Sequence, residues 1–128
     1  MAKLGSRAGW GENYVQSVTA STTLYASDSG KVFTVATDAL VITLPACEAG
    51  LKFTFVNSGD DDGVLITVSP NASDKIMGTI AAVRTSANDG GDLTNPKSGA
   101  NKGDWCTNVG DGSEGWYIIG GDGVWAGA

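Results

Sequence analysis

Three consecutive aspartates, Asp60, Asp61 and Asp62, stand in the stretch NSGDDDGV (57–64), between two runs that are apolar at every second residue. Carboxylates are the hard oxygen ligands that Ca²⁺ takes, and a calcium loop spaces them as D-x-D-x-D-G so that the side chains converge. Consecutive residues in extended or turn backbone point apart instead. The spacing therefore reads as a solvated acidic hairpin tip, and neither a metal site nor a cofactor is expected. GGDG (120–123) fails the nonapeptide calcium repeat, because it occurs once and nothing stacks upon it, and reads as a turn.

Other chemistry is scarce. The chain has no histidine, so Cys47 and Cys106 have no imidazole to activate them, and it has no G-x-S-x-G elbow and no Walker loop. Glu12, Glu48 and Glu114 are the only glutamates, and Glu48 in PACEAG and Glu114 in GSEG fall at turns, where a solvated loop explains them. No catalytic residue is assigned and no enzyme is expected. The two cysteines permit one disulfide at most, and free thiols are expected in a reducing compartment. Of the four tryptophans, Trp105 and Trp116 sit in alternating runs and suit core or sheet-face packing. Aromatic platforms also stack sugars, which keeps a glycan-binding module as a second class of function. Trp125, three residues from the end, is hard to bury inside a domain and is expected to pack against a neighbouring subunit.

At 128 residues the chain suits one domain with a hydrophobic core. Apolar residues make up 41%, and 19 glycines favour turns and short strands over helices. The 14 acidic and 8 basic residues give a formal net charge of −6 with no basic stripe, which argues against nucleic acid. No run approaches the roughly 20 apolar residues that cross a bilayer. MAKLGSRAGWG (1–11) lacks the apolar segment of a signal peptide, so synthesis in a cytoplasm is expected.

Residues 1–21 read as an extended N-terminal arm with Trp10 and Tyr14 as anchors, and 22–128 as a single β domain. In that domain KVFTVA and LVITLP flank the turn TDA, and LKFTFVN and VLITVS flank the aspartates as a hairpin. The linker GDGSEG between DWCTNV and GWYIIGG is a further hairpin signal. The count is about seven to eight short strands, in an all-β antiparallel sandwich or jelly-roll-like barrel. The polar stretch 86–102 reads as a long contact loop.

The segments Ser27–Gly78 and Asn101–Trp125 carry the strings TLPA, AGLKFTFVN, ITVSP, DKI.G and GDGSEGWYI. In these the chain resembles small β-rich virion proteins of tailed bacteriophages, the capsid decoration or cement proteins; similar strings also occur in phage tail-fibre and tail-spike ends. The resemblance implies a structural protein on the outer surface of a mature head, made in the bacterial host cytoplasm. It also implies that the protein binds the major capsid protein as a homotrimer, with no nucleic acid and no membrane as partner. The expected capsid contact is the arm, through Leu4, Trp10 and Tyr14 with Lys3 and Arg7 as polar anchors, and Trp125 is the expected subunit contact.

Overall fold

The structure is a computed structural model, and it describes residues 14–80, 83–84 and 91–127. The alternating runs become strands because β-branched and aromatic residues at every second position cover one face of a pleated sheet. In chain order they are β1 (Val15–Val18), β2 (Thr22–Thr23), β3 (Val32–Val35), β4 (Leu40–Thr43), β5 (Lys52–Asn57), β6 (Ile66–Ser69) and β7 (Lys75–Met77). There follow β8 (Thr79–Ile80), β9 (Val83–Arg84), β10 (Leu93–Asn95), β11 (Trp105–Gly110), β12 (Gly115–Asp122) and β13 (Ala126–Gly127). The only helical element among the described residues is a 3-10 turn, Ala26–Asp28.

Two sheets face one another, a six-stranded one in the order β1-β3-β5-β11-β12-β7 and a five-stranded one in the order β13-β10-β6-β4-β2, with β8 and β9 pairing apart. Successive strands change sheet. β1, β3 and β5 are parallel neighbours in the first sheet, while β2, β4 and β6 are parallel neighbours in the second. Residues 15–69 thus wind back and forth between the sheets. The later strands add antiparallel partners: β11 on β5, β12 on β11, β10 on β6 and β13 on β10.

This architecture is all-β with two packed sheets, as expected, but three expectations change. The sheets are mixed, not antiparallel. KVFTVA pairs with LKFTFVN, and the runs either side of the aspartates lie in opposite sheets, so NSGDDDGV is a crossing and no hairpin tip. Residues 15–18, assigned to the arm, are β1 of the six-stranded sheet, with Val18 buried.

The inner positions match the alternation. Phe33, Val35, Ile42, Leu44, Phe53, Phe55, Ile66 and Val68 are fully buried in one core between the sheets. Phe33 stacks on Phe55 at 5.9 Å, and Phe53 meets the Trp116 ring at 5.6 Å.

GDGSEG does make the turn joining β11 to β12. Asp111 Oδ1 accepts from the backbone N–H groups of Ser113, Glu114 and Gly115 at 2.8, 2.8 and 2.9 Å. The Gly115, Ser113 and Glu114 N–H groups hold its carboxyl below the usual carboxylate range. A carboxyl lowered on folding contributes stability that is present above its unfolded value, near ~3.9, and lost as pH falls through its folded value. Asp111→Ala is therefore expected to lower the melting temperature at neutral pH and to make it fall less steeply between about pH 5 and pH 3. Thermal melts followed by circular dichroism check this; an unchanged acid slope would contradict it.

Candidate functional site

The aspartate crossing is tied to the loop before β11. Asp61 Oδ1 accepts from the Lys102 N–H at 3.0 Å, Asp62 Oδ1 from the Gly99 N–H at 2.7 Å, and Asp60 lies 3.8 Å from Lys102 Nζ. Asp62 itself takes a left-handed backbone, φ 54°, which aspartate tolerates better than most residues. Two of the carboxylates serve as backbone acceptors and the third as a rim charge. Among the described residues no group of three or more His, Cys, Asp and Glu side chains gathers as a metal site would require.

Beneath the crossing lies a buried polar network that joins both sheets. Asn57 Nδ2, at the end of β5, donates to Asn95 Oδ1 of β10 at 2.7 Å and to the Val64 carbonyl at 3.2 Å. Asn95 Nδ2 donates to Asp104 Oδ2 at 3.1 Å and to the Val124 carbonyl at 2.7 Å. Asp104 Oδ2 also accepts from the Asn101 N–H at 2.9 Å. Gly123, with φ +98°, lies so close that a side chain there would collide with the Asp104 carboxylate. Every partner in this network belongs to the fold, so its role is to lock one end of the sandwich.

The remaining candidates are structural too. Both cysteines are free and buried. Burial pushes the Cys106 thiol up to about 12 and raises that of Cys47, whose backbone N–H donates to Asp74 Oδ2 at 3.0 Å. Neither thiol is poised as a nucleophile. Glu114 pairs with Lys75 at 3.1 Å.

Trp125 is corrected. It is 3% exposed within the core of its own chain, and its Nε1–H donates to the Asp122 carbonyl at 3.1 Å. After Gly123 the chain returns to add β13 at the edge of the five-stranded sheet beside β10, so nearness to the end does not leave the ring uncovered. Of the arm residues, Lys3, Leu4, Arg7 and Trp10 lie outside the described residues. Tyr14 is 44% exposed, and its carbonyl accepts from the Val32 N–H at 2.7 Å where the chain enters β1.

What the fold leaves open is the outer face of the six-stranded sheet. Register sets its side chains in rows. Ser17, Thr34, Val56, Trp105 and Asp122 form one; Val15, Val32, Thr54, Thr107 and Gly120 the next; Lys52, Val109, Tyr117 and Met77 a third. A bulge between Thr107 and Asn108 leaves Ile119 as an extra residue on β12. Ile119 is 58% exposed, Val15 56%, Tyr117 44% and Trp105 38%, which is unusual for such large apolar groups on one sheet. The Trp105 ring lies over Gly120, where a Cβ would meet it at 3.2 Å. The Thr54 and Thr107 hydroxyls bond each other at 2.8 Å.

Alternation along GWYIIGG sets Tyr117 and Ile119 on one face and Trp116 and Ile118 on the other. The missing step was deciding which pair faces inward. The core takes Trp116 and Ile118, and the other pair is left outside. Comparison with models of known protein families and with curated protein sequences finds no match. Among the described residues no helix is long and apolar enough to cross a membrane.

Proposed function

We propose that this chain is a structural protein that works by adhesion, and specifically a head decoration protein that binds the outside of a mature phage capsid. The observation that carries adhesion is the exposed, nearly uncharged sheet face around Trp105, Tyr117 and Ile119, a composition suited to protein contact. The capsid reading comes from the decoration-protein strings in 27–78 and 101–125. In this reading the N-terminal residues, entering the fold at edge strand β1, reach across a seam between shell subunits. Contacts across a seam must break before the subunits part, so binding stabilises the shell by mass action. Mixing the full chain with expanded heads of the parent phage tests the proposal. Saturable co-sedimentation, lost on deletion of residues 1–13, is the expected result.

One observation favours a second reading. Trp105 and Tyr117 expose aromatic surface on the same flat face, a platform on which sugar rings stack. A saccharide array with tryptophan quenching discriminates: glycan binding without capsid binding selects a glycan-binding or tail-associated module.

A further inference from the structure

We infer that the outer face of the six-stranded sheet is a docking surface for a second copy of this chain, packed face to face about a two-fold axis, a dimer in place of the homotrimer that the resemblance implies. The inference takes from the proposed function only that the face makes a protein contact, and it concerns which protein.

Charge argues for the second copy. Each chain carries a formal net charge of −6, so two copies repel wherever their acidic surfaces approach. The three rows of the outer face are the part where that cost is small, because they hold only two charged side chains, Lys52 and Asp122. Lys75, on the bordering strand β7, is paired with Glu114. Neither Lys52 nor Asp122 joins an ion pair within the described residues.

Their positions are complementary under a two-fold. Lys52 on β5 stands opposite Val109, and Asp122 on β12 stands opposite Trp105, so Thr107 on the intervening strand β11 lies midway between the two charges. An axis lying in the interface plane at Thr107, perpendicular to the line joining them, sets each Lys52 against Asp122 of the other copy. An isologous interface needs this reciprocity, where residue i meets j and j meets i. The same axis passes near the middle of the six strands, so matching the charges also overlays the two apolar faces.

The footprint suits a small, reversible contact. Six strands spaced about 4.8 Å and read over about five residues span about 25 by 17 Å, a flat area of about 425 Å² that side-chain relief enlarges, at the small end of the range for which ~800 Å² per partner is the standard size. The central hydroxyls of Thr54 and Thr107 bond each other, which uses one of their two O–H donors, and Thr107 is already buried in the single chain, so covering the pair desolvates little further polar surface. Packed sheets stand about 10 Å apart, leaving room for Trp105, Tyr117 and Ile119 to interdigitate.

Sedimentation equilibrium of the full chain at micromolar concentrations tests this without any shell, so its outcome is separate from that of capsid binding. The expected mass is twice the 13.0 kDa of one chain. Ile119→Glu should give monomer at the same concentrations. Lys52→Asp, which sets like charges together twice per dimer, should weaken association about tenfold or more. The double reversal Lys52→Asp with Asp122→Lys should restore it to within about threefold of the original. Circular dichroism checks that each variant is folded, and Tyr117→Ser replaces Ile119→Glu if the latter is not. A monomeric or trimeric full chain, a dimer indifferent to both face variants, or failure of the double reversal to rescue a folded protein would each overturn the inference. So would a chain that dimerises only after residues 1–13 are removed, which would assign the face to the chain's own N-terminal segment.

Discussion

Asn95→Ala is expected to destabilise the fold by about 3–5 kcal/mol, from several hydrogen bonds lost at once in a buried site. The alanine removes the bond from Asn57 Nδ2 and both bonds that Asn95 Nδ2 gives, to Asp104 Oδ2 and the Val124 carbonyl. The Val124 carbonyl loses that donor, and Asp104, 7% exposed, keeps the Asn101 N–H on the same oxygen. A charged acceptor left short of donors in a buried site accounts for the larger part of the cost. Urea unfolding should show a lower midpoint with an unchanged slope, the mark of lost stability without a change in compactness. A shift below about 1 kcal/mol would mean that the network does not join the sheets. Thr67→Ala, at a half-buried position on the neighbouring strand β6, is the control and should stay within about 0.5 kcal/mol.

The second large effect is expected at Phe53. This side chain is fully buried, 5.6 Å from the Trp116 ring and 6.3 Å from the Phe33 ring between centroids. Phe53→Ala removes most of an aromatic side chain from a closely packed core and leaves a cavity, a change that costs about 3–5 kcal/mol. Domains of this size hold about 5–15 kcal/mol, so the variant should stay folded in water but with a sharply reduced midpoint. The cavity opens beside Trp116, so a shift in tryptophan emission should accompany the loss. An unaltered midpoint would place Phe53 outside the core.

These two residues also show what the sequence made legible. Phe53 is in the core because it alternates with Lys52 and Thr54, and period two reports which face of a strand turns inward. The same reasoning recovers Leu40, Ile42, Leu44, Ile66 and Val68. Period two says nothing of which sheet a strand joins. LKFTFVN and VLITVS looked like a hairpin because they are adjacent and flank a polar, glycine-bounded linker, yet β5 and β6 lie in opposite sheets. The linker's acidity was visible, but its partners were not: Gly99 and Lys102 are about forty residues away in sequence, bonded to Asp62 and Asp61. Asn57 ends the run LKFTFVN and Asn95 falls in the stretch 86–102 expected as a loop, part of which is strand β10 on β6, and their burial follows only once antiparallel β11 sets the loop from Asn101 to Asp104 beside the end of β5. Trp125 failed for a related reason, since distance from the chain end is no guide when the last residues return to pair with β10.

The outer face follows from the same accounting. Once the core has taken Phe33, Phe55, Cys106 and Trp116, the intervening positions on the same strands must face out. In this chain those positions are Val, Thr, Trp, Tyr and Ile, with few charges. A sheet face of that kind exposed in isolation is a surface awaiting a partner.

The central claim is that the chain acts by adhesion to a phage shell, and the most direct measurement is the fraction that sediments with expanded heads lacking their own decoration. Saturable binding at a fixed number of copies per head is expected, with a higher rupture temperature for saturated heads and loss of both when residues 1–13 are deleted. Heads that bind none of the full chain, and that rupture at the same temperature with or without it, would contradict the account.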